Sequence, residues 1–353
     1  MKYEKIVNIL EQKQLDAIIV SNPYNMRYIS GFSGGTGYLY LSRGKRAVLT
    51  DSRYTILAKE EAKSFEICQV EKDYMDLIEA LADQEQAKKI GLEGKDFLCS
   101  DFYKWKSLRE DFEWTFLENE LSNLRIIKTP EELERIKEAE RIGDLAFEQI
   151  LNQIKPGMTE LEVAAYLEFY MKQNGAEGLS FDTIVASGIN SSKPHAVPSR
   201  KKIENGDFVT MDFGCIYEGY CSDMTRTVVV GKASDEQKKI YNVVLEAQKR
   251  GLETIKAGLT GAQVDQVARD YIKQMGYGKC FGHGLGHSVG LYIHENPRLS
   301  PNETTVLAEN ITETVEPGIY VENFGGVRIE DLVVVTSDGC ENFTSSPKNL
   351  IEL

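Results

Sequence analysis

The chain reads as an α/β domain over its first third, followed by a larger α+β domain built from two related halves. Three observations carry this reading: alternating helix and strand signals over about the first 120 residues, a helical segment that recurs at a fixed offset, and hairpin-like strands grouped around that recurrence. Tyr3 to Lys13 places apolar residues at helical spacing, and Asp16 to Ser21 (DAIIVS) is a short apolar run suited to a buried strand. Gly31 to Gly37 (GFSGGTG) precedes two more strand-like runs, YLYLS and RAVLTD. It lacks both the Lys-Ser/Thr ending and the glycine spacing of phosphate-cradling loops, so it reads as a tight turn.

A boundary falls near Ile126 to Pro130, giving expected domains of 1–126 and 127–353. Thr129 can cap the next helix, Pro130 suits its first turn and Glu132 completes a capping box, which predicts a long helix from about Pro130 to Ile150. Beyond it, Ile154 to Gly175 can be laid over Ile255 to Gly276 at an offset of 101 residues, with nine identities and no gap. Each copy has a Gly-containing turn, a Thr-x-x-Glu/Gln box and an apolar helical stripe, so this domain contains two pseudo-symmetric halves with a cleft as the natural place for a site. Gly206 to Gly231 reads as two strands around a turn, and Thr314 to Thr336 as two more around Asn323 to Gly326. Helices segregated from antiparallel hairpins imply α+β.

With 353 residues, 42% of them hydrophobic and 27% charged, the chain can bury a substantial core. Its net charge of −14 repels nucleic-acid backbones and anionic membranes, leaving small neutral or cationic partners. Six cysteines without a C-x-x-C pair, and a charged amphipathic N-terminal stretch where a secretory signal would be apolar, point to a reduced cytoplasmic setting. No apolar run approaches the roughly 20 residues needed to span a bilayer.

The sharpest signal is histidine. His195, His283, His287 and His294 are all the histidines of the chain, and three of them fall within FGHGLGHSVGLYIHE, flanked by glycines that let backbone approach a bound group. Acids join them. With a tight turn at Tyr217-Glu218, Asp212 and Asp223 face one another across a hairpin, where like charges about 5 Å apart cost energy unless a cation lies between them. Asp212 also interrupts an apolar strand, as do Glu316 in TVEPG and Glu330 in VRIED, and a lone carboxylate there is expensive. By alternation Cys215 and Cys221 fall on the opposite strand face and read as packing residues.

In chain order, FDTIVASGINSSKPHAVPS, MDFGCIYEGYCSDMTRT, HGLGHSVGLYIHENP and TVEPGIYVENFGGVRIED resemble the successive motifs of the pita-bread metallopeptidases, in the branch of Xaa-Pro aminopeptidases and prolidases. GFSGGTG and TDSRY resemble the creatinase-type N-terminal domain of that branch, so the likeness spans nearly the whole chain. The resemblance implies a dinuclear metal site: Asp212 on one cation, His287 and Glu316 on the other, Asp223 and Glu330 bridging. It implies Glu316 as proton shuttle, with His195 and His294 as donors to the substrate carbonyl or oxyanion. His283 and Arg328 then belong on the side of the residue after the scissile bond; Tyr320 and Tyr292 are weaker candidates, since an aromatic near a strand end is core packing more often than not. An oxygen-rich donor set without thiolate suits Mn²⁺ first, with Co²⁺ or Zn²⁺ as alternatives. A homodimer is expected by the same likeness.

The function so implied is removal of an N-terminal residue that precedes proline, from a proline-containing peptide. A dipeptidase restricted to Xaa-Pro is the alternative, since both activities share the five ligands. A non-catalytic binding module of this fold would lack ligands, and this chain keeps all five.

Overall fold

The structure is a computed structural model that describes residues 2–353. The chain divides into two compact units, one ending at Arg125 and the other spanning Ile126–Leu353. In the first unit the elements run α1 (Lys2–Gln12), β1 (Ala17–Val20), α2 (Pro23–Ser30), β2 (Tyr38–Ser42), β3 (Arg46–Thr50), α3 (Thr55–Glu61), β4 (Glu66–Gln69), α4 (Tyr74–Glu85), β5 (Lys89–Glu93), α5 (Cys99–Leu108) and β6 (Glu113–Leu117). They build one mixed sheet in the order β4-β3-β2-β1-β5-β6, with β1 parallel to β5 and antiparallel to β2. All four residues of β1 are buried, which explains its unbroken apolar run.

The second unit begins with α6 (Pro130–Leu151), which starts where its capping box predicts: Thr129 accepts from the Glu132 N–H and Glu132 returns a bond to the Thr129 N–H. Next come α7 (Glu160–Gln173), β7 (Gly178–Leu179), β8 (Ile184–Ser187), β9 (Phe208–Phe213), β10 (Cys215–Tyr217), β11 (Tyr220–Cys221) and β12 (Met224–Val229). The second half repeats the plan with α8 (Asp235–Thr254), α9 (Gly261–Gln274), β13 (Gly286–Ser288), β14 (Glu295–Leu299), β15 (Thr312–Val315), β16 (Gly318–Val321), β17 (Gly325–Arg328), β18 (Asp331–Val335) and β19 (Cys340–Asn342). The repeat is visible in the helices. Both α7 and α9 have 14 residues, and their caps Thr159 and Thr260 each form a complete capping box.

Each half has its own core. Ala139, Phe147, Val163, Leu167, Met211 and Val228 pack together in the first, and Val244, Val264, Leu285, Leu299, Val315 and Val333 in the second. Burying a Val, Leu, Phe or Met side chain contributes about 1.5–3 kcal/mol.

The hairpins correct one expectation. Asp212 pairs with Thr225, not with Asp223, and the same register continues into Tyr217 opposite Tyr220. The turn therefore sits at Glu218-Gly219, whose φ values of 44° and 85° suit the twist of a two-residue hairpin turn and favour glycine. A slip of two residues preserves the face, so Asp212 and Asp223 still lie on one side, diagonally related. In the second hairpin Val321 pairs with Gly325, so Gly325 and Gly326 belong to the strand and the turn is Glu322 to Phe324.

Both hairpins are broken at matching places. The ladder of β9 and β12 is separated from that of β10 and β11 at Gly214 and Ser222-Asp223; that of β15 and β18 is separated from β16 and β17 at Glu316-Pro317 and Ile329-Glu330. At these breaks side chains turn out of the regular alternation.

Candidate metal centre

The five side chains expected as ligands come from both halves of the second unit, and the structure brings them together. Asp212, Asp223 and Glu330 each offer a carboxylate oxygen, and these oxygens lie within 4.8 Å of one another. His287 Nε2 stands 3.4 Å from Asp223 Oδ2 and 3.6 Å from Glu316 Oε1. Asp212 is held near the end of β9, Asp223 and Glu330 lie at the hairpin breaks, Glu316 follows β15 and His287 is central in β13. Backbone bonds fix the breaks: the Glu316 N–H donates to Leu285 O, and the Glu330 N–H to Thr225 O.

His287 owes its position to a close approach. A Cβ on Gly286 would meet Thr314 O at 1.8 Å, so only glycine lets β13 lie against β15, where the His287 N–H donates to Thr314 Oγ1. The His287 Nδ1 faces the Ser288 carbonyl at 3.2 Å, which can only accept, so Nδ1 carries the proton and Nε2 presents a lone pair toward the carboxylates. Burial, then the neighbouring His294, pushes this imidazole down to about 3, keeping it neutral.

The carboxylates respond in the opposite sense. Burial, followed by the charges of its acidic neighbours, raises Asp223 well above the ordinary carboxylate range, and the same causes raise Glu330. Burial pushes Glu316 up to about 7, against the lowering influence of Arg328. Four acids crowded in a dry site cannot all ionise without cations among them. Asp212 adds a direct sign: Oδ2 accepts from Arg328 Nη2 at 2.5 Å, while Oδ1 is buried with no hydrogen-bond partner among the described residues. Four carboxylates and one neutral imidazole balance two divalent ions, so the donor set fits a dinuclear centre.

Around the cluster lies a cavity of about 380 Å³, lined among others by His195, His283, His294, Phe181, Ile184, Arg298 and the five cluster residues. His195 and His294 are exposed to it and make no side-chain hydrogen bond among the described residues. The His294 ring stands edge-on to His287, with centroids 4.6 Å apart. His283, Tyr320 and Arg328 form a relay instead. Arg328 Nη1 donates to Tyr320 OH at 2.7 Å, that hydroxyl meets His283 Nε2 at 3.0 Å, and His283 Nδ1 faces Gly284 O at 2.8 Å. Both histidine nitrogens are engaged, and burial pushes its pKa down to about 4. Tyr292 is exposed and packs on His294 with centroids 6.0 Å apart. Cys215 and Cys221 are buried, their thiols facing Ala139 O at 3.3 Å and Leu291 O at 3.8 Å.

Residues 134–337 match metallopeptidase family M24, and residues 2–127 match the creatinase/prolidase N-terminal domain. The chain belongs to metallopeptidase family M24. An Xaa-Pro dipeptidase of Pyrococcus furiosus is 41% identical to it over 352 residues, covering 99% of each chain. A solved Xaa-Pro dipeptidase from Bacillus anthracis superposes with a TM-score of 0.97 at 45% identity, covering 100% of this chain and 99% of that one. An X-Pro aminopeptidase from Thermotoga maritima MSB8 gives 0.93 at 41% identity, covering 100% of both. This M24 chain thus has the creatinase-type N-terminal domain and the pita-bread fold that its motifs resemble.

Several residues of this M24 site escaped the sequence reading. Thr225 is fully buried, donates to Glu330 Oε2 at 2.6 Å and accepts from Arg328 Nε at 3.0 Å, linking a cluster acid to the arginine that binds Asp212. Glu140 of α6, also fully buried, accepts from the Asp223 N–H at 3.2 Å and from Thr344 Oγ1 at 2.6 Å. Its signal was available, because Glu140 sits on the apolar stripe of α6 between Ile136 and Gly143. Arg298 and Asp182 line the cavity without an ion-pair or hydrogen-bond partner for their side chains among the described residues.

Proposed function

We propose that this M24 chain is an Xaa-Pro aminopeptidase, hydrolysing the bond between an N-terminal residue and a following proline. The observation that carries the reading is the meeting of Asp212, Asp223, His287, Glu316 and Glu330 in one cavity, with His287 Nε2 unprotonated and aimed at the acids. In this reading Asp212, Asp223, His287, Glu316 and Glu330 would together hold the divalent cations. Bound there, such cations would supply Lewis acidity that makes water a stronger acid near neutral pH.

The chain's own residues do the rest. Glu316 accepts the attacking water's proton and returns it to the leaving nitrogen, a transfer worth about 10²–10⁴-fold. Like any peptide nitrogen, that of proline departs as a neutral amine only once it has been protonated. His195 and His294, whose ring nitrogens are uncommitted, donate to the carbonyl oxygen as charge builds there. Arg328, anchored by Asp212, Thr225 and Tyr320, orients Asp212 and, with His283 and Tyr320, forms the wall met by the proline side of the substrate. Phe181 and Ile184 add apolar surface.

A second reading, the Xaa-Pro dipeptidase, draws support from Arg298. Its unpaired guanidinium in the cavity is suited to the C-terminal carboxylate of a dipeptide. Hydrolysis of Arg-Pro-Pro and longer Xaa-Pro peptides beside Xaa-Pro dipeptides separates the two. Cleavage of dipeptides alone assigns the second; cleavage of neither contradicts both.

Finer features belong to the same proposal. Manganese is the expected metal, on the strength of the oxygen-rich donor set. Catalysis resides in residues 127–353, with 1–126 as an accompanying domain. The six cysteines form no disulfide among the described residues, in keeping with a cytoplasmic setting, and no helix of the described residues is long and apolar enough to cross a membrane. A homodimer agrees with the exposed Leu161, Tyr166 and Phe169 of α7; light scattering on the purified chain measures it.

A further inference from the structure

Five carboxylates line the cavity, and the metal cluster accounts for four of them. The fifth is Asp182. It is exposed to the cavity, belongs to no ion pair and accepts no hydrogen bond among the described residues. Its place is set by β8. Ile184, the first residue of that strand, pairs with Asp212 across the ladder, and both line the cavity. Asp182 precedes Ile184 by two residues and lines the same cavity, as does its chain neighbour Phe181. A carboxylate without an ion-pair partner among the described residues thus stands toward the Asp212 end of the site, in a cavity that Phe181 and Ile184 also line. The cavity's positive charges are engaged or separate: Arg328 is committed to Asp212, and Arg298 enters from β14.

We propose that Asp182 is a specificity-determining residue, selecting peptides whose first residue carries a cationic side chain, lysine or arginine. The inference rests on the Xaa-Pro reading, because with proline fixed in second place the first side chain is the variable group nearest the cleaved bond. The aliphatic stem of such a side chain suits Phe181 and Ile184, and its charged end meets Asp182. Since Asp182 is open to solvent, the preference is modest and falls with ionic strength.

The test uses the manganese-loaded enzyme and two matched series, lysyl-proline and norleucyl-proline, each as dipeptide and as tripeptide ending in alanine. The wild type is expected to favour the lysyl member in kcat/KM, and Asp182→Asn to reduce that ratio by about three- to fivefold. Asp182→Lys is expected to shift the preference toward glutamyl-proline. A wild-type ratio near one, or a ratio that Asp182→Asn leaves intact, overturns the inference. So does an equal loss on both series, which would place Asp182 against the peptide's α-ammonium instead. Failure of the wild type to cleave any Xaa-Pro peptide is a different result: it removes the underlying reading and this inference with it.

Discussion

At the scale of single residues, the site is held by side chains that do not belong to the cluster. Thr225 is the clearest, since one hydroxyl orients both Glu330 and Arg328. Thr225→Val removes both bonds and is expected to lower metal affinity or kcat/KM roughly 10–100-fold, with Thr225→Ser restoring most of it; metal titration beside steady-state kinetics measures both. Another buried acid tells the reverse story. Glu313 in β15 is fully buried and neither oxygen has a hydrogen-bond partner among the described residues. Burial raises its pKa well above the ordinary carboxylate range, while Lys128 and Arg298 pull down and Glu303 pushes up. The folded chain therefore holds this proton more tightly than the unfolded chain, and the stability linked to it drains away as pH rises above the ordinary range. Glu313→Leu is expected to melt higher than the wild type, by a margin that widens between about pH 5 and pH 8 at up to about 1.4 kcal/mol per unit. Melting curves across that range check it, and a constant margin contradicts it. The acids of the cluster were legible in the sequence because a carboxylate inside an apolar strand is costly and needs a reason. Thr225 was not, because threonine is an ordinary strand residue and nothing local marks its hydroxyl as shared.

At the scale of elements, what is local was legible and what is distant was not. The capping boxes at Thr129, Thr159 and Thr260 are written within four residues, and α6, α7 and α9 all begin where those boxes place them. Thr129→Ala is expected to cost about 1 kcal/mol, read as a fall in the urea midpoint with unchanged slope. The first hairpin's register was missed by two residues because the turn was placed at Tyr217-Glu218; Gly219, with φ of 85°, marks the true corner. The shared face survived the error, and the convergence of Asp212 and Asp223 with it. In the first unit β4 and β6 went unread: both carry exposed residues and neither has a sustained apolar run. Their places at opposite edges of the sheet follow from pairings far apart in sequence, which no local pattern reveals.

At the scale of the whole molecule, the second unit sets two homologous halves against each other and puts a broken hairpin from each at their junction. The first half supplies Asp212 and Asp223, the second His287, Glu316 and Glu330, and the cross-ties follow the same logic, with Arg328 gripping Asp212 and Thr225 gripping Glu330. Cations held at this junction would tie the halves together, so metal loading is expected to stabilise the fold as well as enable hydrolysis; a ligand at a hundred times its Kd adds about 2.7 kcal/mol. The 101-residue offset, read from the sequence, anticipated this plan. The central claim is a dinuclear centre bridged by Asp223 and Glu330, and metal stoichiometry tests it most directly. The chelated chain is reloaded with Mn²⁺, freed of excess by gel filtration and analysed for metal beside Asp223→Ala. The wild type is predicted to retain two ions per chain and the variant fewer than one; a wild type that retains none, or a variant that retains both, contradicts the account.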